Sequence, residues 1–275
     1  MAQISAAEVS KLRKTTGAGM MDCKKALQES GGDFDKAVEI IRKKGQAVAN
    51  KRADREASEG VVIANVNNDS TTGAMVVLNC ETDFVAKNED FIGFARQITD
   101  VALAENPEDL DALKKLGIEG KTIEDKVVEQ IGIIGEKIDL AYYEKIQAVQ
   151  VTHYIHPGNK LATLVGFSKK TDLQTAKDVA MQVAAMNPVA VDKENVPREV
   201  IEKEREIGRE QALREGKPEN IVDKIAEGKL NKFYKESTLL NQEFIRESKK
   251  TVRQYLQEND KELAVTGFLR YSLSD

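Results

Sequence analysis

The sequence has no tryptophan, two histidines and two cysteines, and aromatic residues make up only 5% of it. Each scarcity closes off a class of function. Cys23 and Cys80 are too few for a disulfide framework and lack metal-ligand spacing. His153 and His156 sit beside a turn with no serine or cysteine nucleophile near them in sequence, which argues against a triad. Three residues apart, they cannot share one face of a strand, which argues against a metal pair. A phosphate-cradling loop is missing too, since Thr16-Gly17-Ala18-Gly19 lacks both the lysine and the preceding strand that such a loop needs. Carboxylates are plentiful, but they lie on charged helical faces where solvation is the ordinary state. The inventory argues against an enzyme and calls for no cofactor or metal. No apolar run approaches a membrane span, and Met1-Ala2-Gln3 is not preceded by a secretory leader, so a reduced, cytoplasmic protein is expected. The net charge of −5, with both signs interspersed, gives no global argument for nucleic acid or membrane as a partner.

What remains is ample for cores. The chain has 275 residues, 41% of them hydrophobic and 32% charged, which fits about two or three domains carrying long solvated helices. Ser5 and Glu8 have capping-box spacing, and Val9 and Leu12 mark one apolar face behind them. Thr16-Gly17-Ala18-Gly19 stops that helix, and Asp22 is placed to cap a second one containing Cys23, Ala26 and Leu27. Gly31-Gly32-Asp33 separates it from a third, with Phe34, Ala37, Val38 and Ile41 at helical spacing. The segment from Lys43 to Ser58, rich in Lys, Arg and Ala, reads as a solvated, partly helical linker.

From Gly60 the period shortens. Val61–Val66 and Ala74–Leu78 flank a polar turn region and form a β-hairpin. A helix from about Asp90 to Glu105 follows, and then two more, the second capped by Thr122 with Ile123, Val127, Ile131, Ile134 and Ile138 as its stripe. The arrangement then recurs. Ile146–Tyr154 and Leu161–Phe167 surround His156-Pro157-Gly158-Asn159, and a helix follows that ends at Asn187-Pro188, as the first ended at Asn106-Pro107. Pro197 to Ser237 is dense in charge and sparse in apolar positions, with Pro197 and Pro218 at helix starts and Gly216 at a helix end. It reads as a projecting antiparallel coiled coil. A short helix and a final strand, Leu263–Tyr271, close the chain.

The expected class is α+β, with antiparallel sheets and helices. A three-helix bundle spans 1–45 and a linker 46–59. A first core subdomain spans 60–143, a related second one 144–195 and 238–275, and the helical hairpin 196–237.

One stretch resists a purely structural reading: Asn79-Cys80-Glu81-Thr82-Asp83-Phe84-Val85-Ala86-Lys87-Asn88. It joins the hairpin to a helix, and a junction this short lies at the surface. Adjacent residues there cannot both face one core. Spacing leaves two readings open: Asp83 or Phe84 is displayed, or Phe84 tucks under its own helix while Asp83 caps it. Met20 and Met21 pose the same question, because two adjacent methionines cannot both point into a small bundle and exposed methionine suits an adaptable binding surface.

Two segments, Leu12–Leu27 and Thr82-Asp83-Phe84-Val85-Ala86-Lys87, resemble the signatures of the elongation factor Ts family. Ile134-Gly135-Glu136 is similar to a third motif, and Val265–Arg270 to the family's last core strand. The resemblance runs in order along essentially the whole chain. It implies a guanine-nucleotide exchange factor for elongation factor Tu, binding that partner in its GDP-bound and nucleotide-free forms. It implies a ubiquitin-associated-like fold for the N-terminal bundle, with Arg13, Met20, Met21 and Lys24 touching the partner's nucleotide-binding domain. Asp83 and Phe84, flanked by Thr82 and Val85, are implied to wedge near the partner's magnesium and phosphate site. Ile134 and His156 are further implied contacts, and the coiled coil or core could support a homodimer or a 2:2 complex. Family members often continue into a C-terminal helix that touches the partner. Here Ser272-Leu273-Ser274-Asp275 follows the last strand, which puts affinity in question more than mechanism. A competing reading is a polypeptide- or RNA-binding adaptor using the N-terminal bundle and the basic linker.

Overall fold

The first helix starts where its capping box sets it. In a computed structural model, which describes residues 4–274, the Glu8 N–H donates to Ser5 Oγ at 3.2 Å and the Ser5 N–H donates to Glu8 Oε2 at 2.7 Å. α1 (Ala6–Thr16) then runs to Gly17, whose φ of 67° ends it. α2 (Met20–Glu29) begins earlier than an Asp22 cap implies. Its N-cap is Gly19, no side chain caps it, and Asp22 lies in the first turn paired with Lys44. α3 (Phe34–Arg52) is capped by Asp33, which accepts from the Lys36 N–H at 3.1 Å. It continues as helix to Arg52, through positions read from sequence as linker. Leu12, Cys23, Ala26, Leu27 and Ala37 form the bundle's core, and full burial of each leucine contributes about 1.5–3 kcal/mol.

β1 (Glu59–Val66) and β2 (Thr72–Cys80) form the first hairpin. Its turn is closed by the Asn67 side chain, which accepts from the Thr71 N–H at 2.8 Å. α4 (Asp83–Ala86) is a single turn, and α5 (Glu89–Glu105) follows with Phe91, Phe94, Ala95, Ile98 and Ala102 buried. Next come α6 (Leu110–Lys115), the short pair β3 (Gly117–Ile118) and β4 (Lys121–Thr122), and α7 (Ile123–Ile134). Thr122 caps α7 as expected, accepting from the Asp125 N–H at 3.1 Å. The apolar stripe does not continue to Ile138. Gly135, at φ 79°, terminates the helix, and Ile138 opens β5 (Ile138–Gln147), which lies beside β2 in the order β1-β2-β5. α3 packs on α7, and at their contact a Cβ built on Gly132 would lie 2.7 Å from Gly45 Cα, so the two backbones meet directly.

The single strand expected over Ile146–Tyr154 is divided. β5 ends at Gln147, and β6 (Gln150–Ile155) begins after Ala148-Val149. β6 pairs antiparallel with β7 (Leu161–Phe167), and β7 pairs antiparallel with β10 (Val265–Ser272). α8 (Leu173–Met186) packs on this sheet. Val165, Phe167, Val179 and Val183 share one core with Leu239, Phe244 and Leu256. α9 (Arg198–Arg214) and α10 (Glu219–Ser237) pack against each other, with Gly208 close to Ala226. A hairpin absent from the sequence reading, β8 (Glu243–Phe244) with β9 (Glu247–Thr251), precedes α11 (Val252–Asn259), which has its own capping box at Thr251.

The structure is therefore α+β. It divides into two compact units: one takes the chain up to Ile63, then Val76–Glu144 and the end from Leu273; the other takes Ala64–Met75 and Lys145–Ser272. The recurring Asn-Pro has a physical basis. α5 and α8 both end on a left-handed asparagine, Asn106 at φ 48° and Asn187 at φ 41°, each donating its N–H to the carbonyl four residues back. Asparagine tolerates that geometry better than most residues, and the following proline cannot extend a helix.

Candidate partner-binding surface

The junction after β2 shows which reading of Asp83 and Phe84 holds locally. Thr82, not Asp83, caps α4, its hydroxyl accepting from the Val85 N–H at 3.5 Å. One turn of helix has little inward face. Ala86 is buried, Val85 is half-buried, and Phe84 points outward with 83% of its surface exposed. Asp83 is half-buried beside it, and its Oδ2 pairs with Lys87 Nζ at 2.6 Å. An exposed pair of this kind stabilises by about 0.3–0.5 kcal/mol. Asn88 then caps α5, accepting from the Asp90 N–H at 2.8 Å.

Two carboxylates hold this junction. Glu136 Oε1 accepts from Thr82 Oγ1 at 2.7 Å, and Glu136 Oε2 accepts from the Thr82 N–H at 3.1 Å. Glu81 works in the opposite direction, accepting from the Lys137 N–H at 2.6 Å and from Arg52 at 2.8 and 2.9 Å. Each glutamate thus binds the backbone N–H of the residue that follows the other. The Lys137 ammonium adds bonds to the carbonyls of Ala53 and Arg55, just past the end of α3. The hydrogen bond from the Lys137 N–H, then the Arg52 guanidinium, hold the Glu81 carboxyl below the usual carboxylate range. Cys80 is buried next to this cluster, and burial followed by the Glu136 charge pushes its thiol up to about 12. Such a thiol is not a nucleophile at neutral pH.

In the same unit, Met20 and Met21 open α2 with 59% and 64% of their surfaces exposed, while Cys23, Ala26 and Leu27 of that helix are buried. Arg13 and Lys24 are exposed as well. Ile134, the last residue of α7, is half-buried, and its neighbour Ile133 is more exposed. Ile133 reaches the loop ahead of the methionines: a Cβ on Gly17 would lie 2.8 Å from Ile133 Cδ1. His156 belongs to the other unit, at the β6–β7 turn, exposed and hydrogen-bonded through Nδ1 to Tyr154 Oη at 3.0 Å. His153 is half-buried, and burial lowers its pKa.

Sequence reasoning passed over Ile133, Glu81 and Glu136 as site residues. Glu136 had a signal, as the last member of the Ile134-Gly135-Glu136 motif, but its partner lies 54 residues away. Part of the charge of the basic segment is matched within the chain. Lys43 pairs with Glu39, Lys44 with Asp22 and Arg52 with Glu81. Among the described residues no group of His, Cys, Asp and Glu side chains is placed to hold a metal ion, and no helix is long and apolar enough to cross a membrane.

Comparison with known proteins follows the same outline. A family model described as Elongation factor TS matches residues 81–275. Relatives each named Elongation factor Ts match nearly the whole chain. The one from Christiangramia forsetii is 52% identical over 275 residues, covering 99% of this chain and 100% of the relative. That of Porphyromonas gingivalis is 52% identical over 268 residues, 97% of each chain. That of Cytophaga hutchinsonii is 48% identical over 278 residues, with both chains covered in full.

Proposed function

The chain belongs to the elongation factor Ts family, a family of translation elongation factors, and from that premise we propose that it is a guanine-nucleotide exchange factor for elongation factor Tu, acting in the cytoplasm without making or breaking a covalent bond. One observation carries the reading: within one compact unit, Met20, Met21 and Phe84 are held out into solvent while Cys23, Ala26, Leu27 and Ala86 close to them in sequence are buried. Large exposed apolar side chains on ordered helix starts are what a protein partner requires, and they offer nothing to a small substrate.

In this proposal the methionines, with Arg13 and Lys24, seat the N-terminal bundle on the partner's nucleotide-binding domain, where flexible thioethers adapt to its contours. Phe84 enters between elements of the partner near its magnesium and phosphate site, with Asp83 beside it. A nucleotide-bound magnesium bridges phosphate oxygens and protein ligands, so shifting its supports weakens the nucleotide without any contact to the base. Asp83 keeps part of its surface in solvent beside Phe84, and its pair with Lys87 is an exposed i,i+4 contact of low strength. By linkage, a factor that lowers nucleotide affinity is displaced by nucleotide to the same degree, and this makes it a catalyst of exchange rather than an inhibitor. Thr82 and Val85 shape the turn, while Ile134 and His156 supply secondary contacts. Hydrolysis of GTP remains the partner's chemistry. The adaptor reading has less support, because the displayed side chains of this unit include the large apolar Met20, Met21 and Phe84, which suit a protein surface rather than a phosphate backbone.

Stopped-flow release of labelled GDP from elongation factor Tu tests the proposal. Release accelerated by catalytic amounts of this chain is the expected result, and a rate unchanged at saturating chain would refute it.

A further inference from the structure

The displayed turn and the displayed methionines are anchored at the same place, the C-terminal end of α7. Ile133, one residue from that end, touches Gly17 in the loop that leads to Met20. Gly135 then turns the chain out of the helix, and Glu136 takes both the N–H and the hydroxyl of Thr82, the residue before Asp83. The Thr82 hydroxyl in turn accepts the Val85 N–H, so the carboxylate acts through that hydroxyl on the first turn of α4. The Glu81 carboxylate closes the clasp from the other side and ties it to Arg52 at the end of α3.

We propose that Glu136 is a positioning residue: its carboxylate fixes the α4 turn on the end of α7, and so sets the placement of Asp83 and Phe84 relative to the contacts of the N-terminal bundle. Physical chemistry favours a carboxylate here. An α4 of one turn cannot hold itself in water, since helix nucleation is unfavourable and most of its backbone groups lack helical partners. A charge-assisted acceptor bound to both the N–H and the hydroxyl of its N-cap supplies the missing order. The glutamate touches neither nucleotide nor magnesium in this account. It acts through Thr82, and the inference rests on the exchange reading above.

The test compares GDP release from elongation factor Tu with five chains, each titrated to saturation: parent, Glu136→Ala, Glu136→Gln, Asp83→Ala/Phe84→Ala, and the Asp83→Ala/Phe84→Ala/Glu136→Ala triple variant. Glu136→Ala is expected to lower the saturated release rate about tenfold, since misplacing a well-oriented group by an ångström costs up to about a hundredfold. Its half-saturating concentration should move by less than about threefold, because the bundle contacts remain. In the double-mutant background the same change should cost nothing further, because nothing is left for it to position. Glu136→Gln keeps the shape and one acceptor oxygen, and should fall between parent and alanine. Glu136→Ala exchanging like the parent, or losing the same factor in both backgrounds, would overturn the inference. An inactive parent would instead overturn the exchange reading. Hydrogen exchange on the free chain then decides the structural part: protection at Val85 and Ala86 should fall in Glu136→Ala, and unchanged protection there would sink it.

Discussion

The two hairpin–helix modules follow one plan and differ at the junction between strand and helix. In both, a hairpin leads through a junction into an amphipathic helix that ends on a left-handed asparagine before proline. In the second module the junction, residues 168–172, is short and fully committed to structure. Ser168 exchanges hydrogen bonds with Ala264, Thr171 N–H donates to Gln150 Oε1, and Asp172 caps α8 by accepting from the Thr175 N–H at 2.9 Å. In the first module the junction, residues 81–88, is longer and contains the extra turn α4. Its phenylalanine is displayed, whereas Phe167, at the end of β7 in the second module, is fully buried. The two modules share a frame, and the longer junction of the first displays a large apolar side chain on a turn held by Glu136 and Glu81.

Substitutions at matched positions of the two modules test this contrast. The largest effect should come from stability: Phe167→Ala removes a buried ring and should cost about 3–5 kcal/mol in urea unfolding, while Phe84→Ala, at an exposed position, should stay within about 0.5 kcal/mol. Equal losses would mean that Phe84 is core after all. Exchange should invert that order. Asp83→Ala/Phe84→Ala should slow stimulated GDP release by about tenfold or more. Leu173→Ala, at the 77% exposed first residue of α8, should change it by less than about twofold. A comparable loss at Leu173 would mean that both junctions bind.

The third contrast is acid. Glu81 and Asp172 both have lowered folded pKa values, through bonds from the Lys137 N–H and from Thr175 respectively. A lowered folded value stabilises fully above the unfolded carboxylate range, and that contribution is lost as pH falls through the folded value. Glu81→Gln, which weakens bonds to the Lys137 N–H and Arg52, should therefore cost about 1 kcal/mol near pH 7. Asp172→Asn, exposed and still able to cap α8, should cost less than about 0.5 kcal/mol. The gap to the parent should begin to narrow below about pH 4 and close only once the pH falls below the lowered folded value. A gap that widened on acidification would show the sign to be wrong. Only Glu81→Gln should also slow exchange. Smallest of all, Lys87→Ala should alter stability by less than about 0.5 kcal/mol, with any change confined to the Asp83 side of the comparison.

Much of the frame was readable in the sequence because its signals are local. Ser5 with Glu8, Asp33, Thr122 and the two Asn-Pro pairs each act within four residues, and each does in the structure what its chemistry requires. The misread places have the same cause. Ile138 extends the helical stripe of α7 by spacing, but Gly135 adopts a left-handed turn and sends it into a strand whose neighbour, β2, lies some 60 residues earlier. β8 and β9 are short and polar, and they form beside α11 without a period of their own. At the site, the motif pointed to Asp83 and Phe84 and left display against burial open. What decides between them locally is Thr82 taking the cap and Glu136 taking Thr82, and no local pattern announces a bond across 54 residues.

The burial of both thiols has a practical consequence for anyone who wishes to watch this protein at work. Cys23 and Cys80 are both inaccessible, and Cys80 is protonated far above neutral pH. Toward a maleimide the folded chain should behave as though it contained no cysteine. One cysteine introduced on an exposed turn, such as Pro157→Cys beside His156, then becomes a unique attachment point for a dye, with both natural thiols left in place to fill their cores.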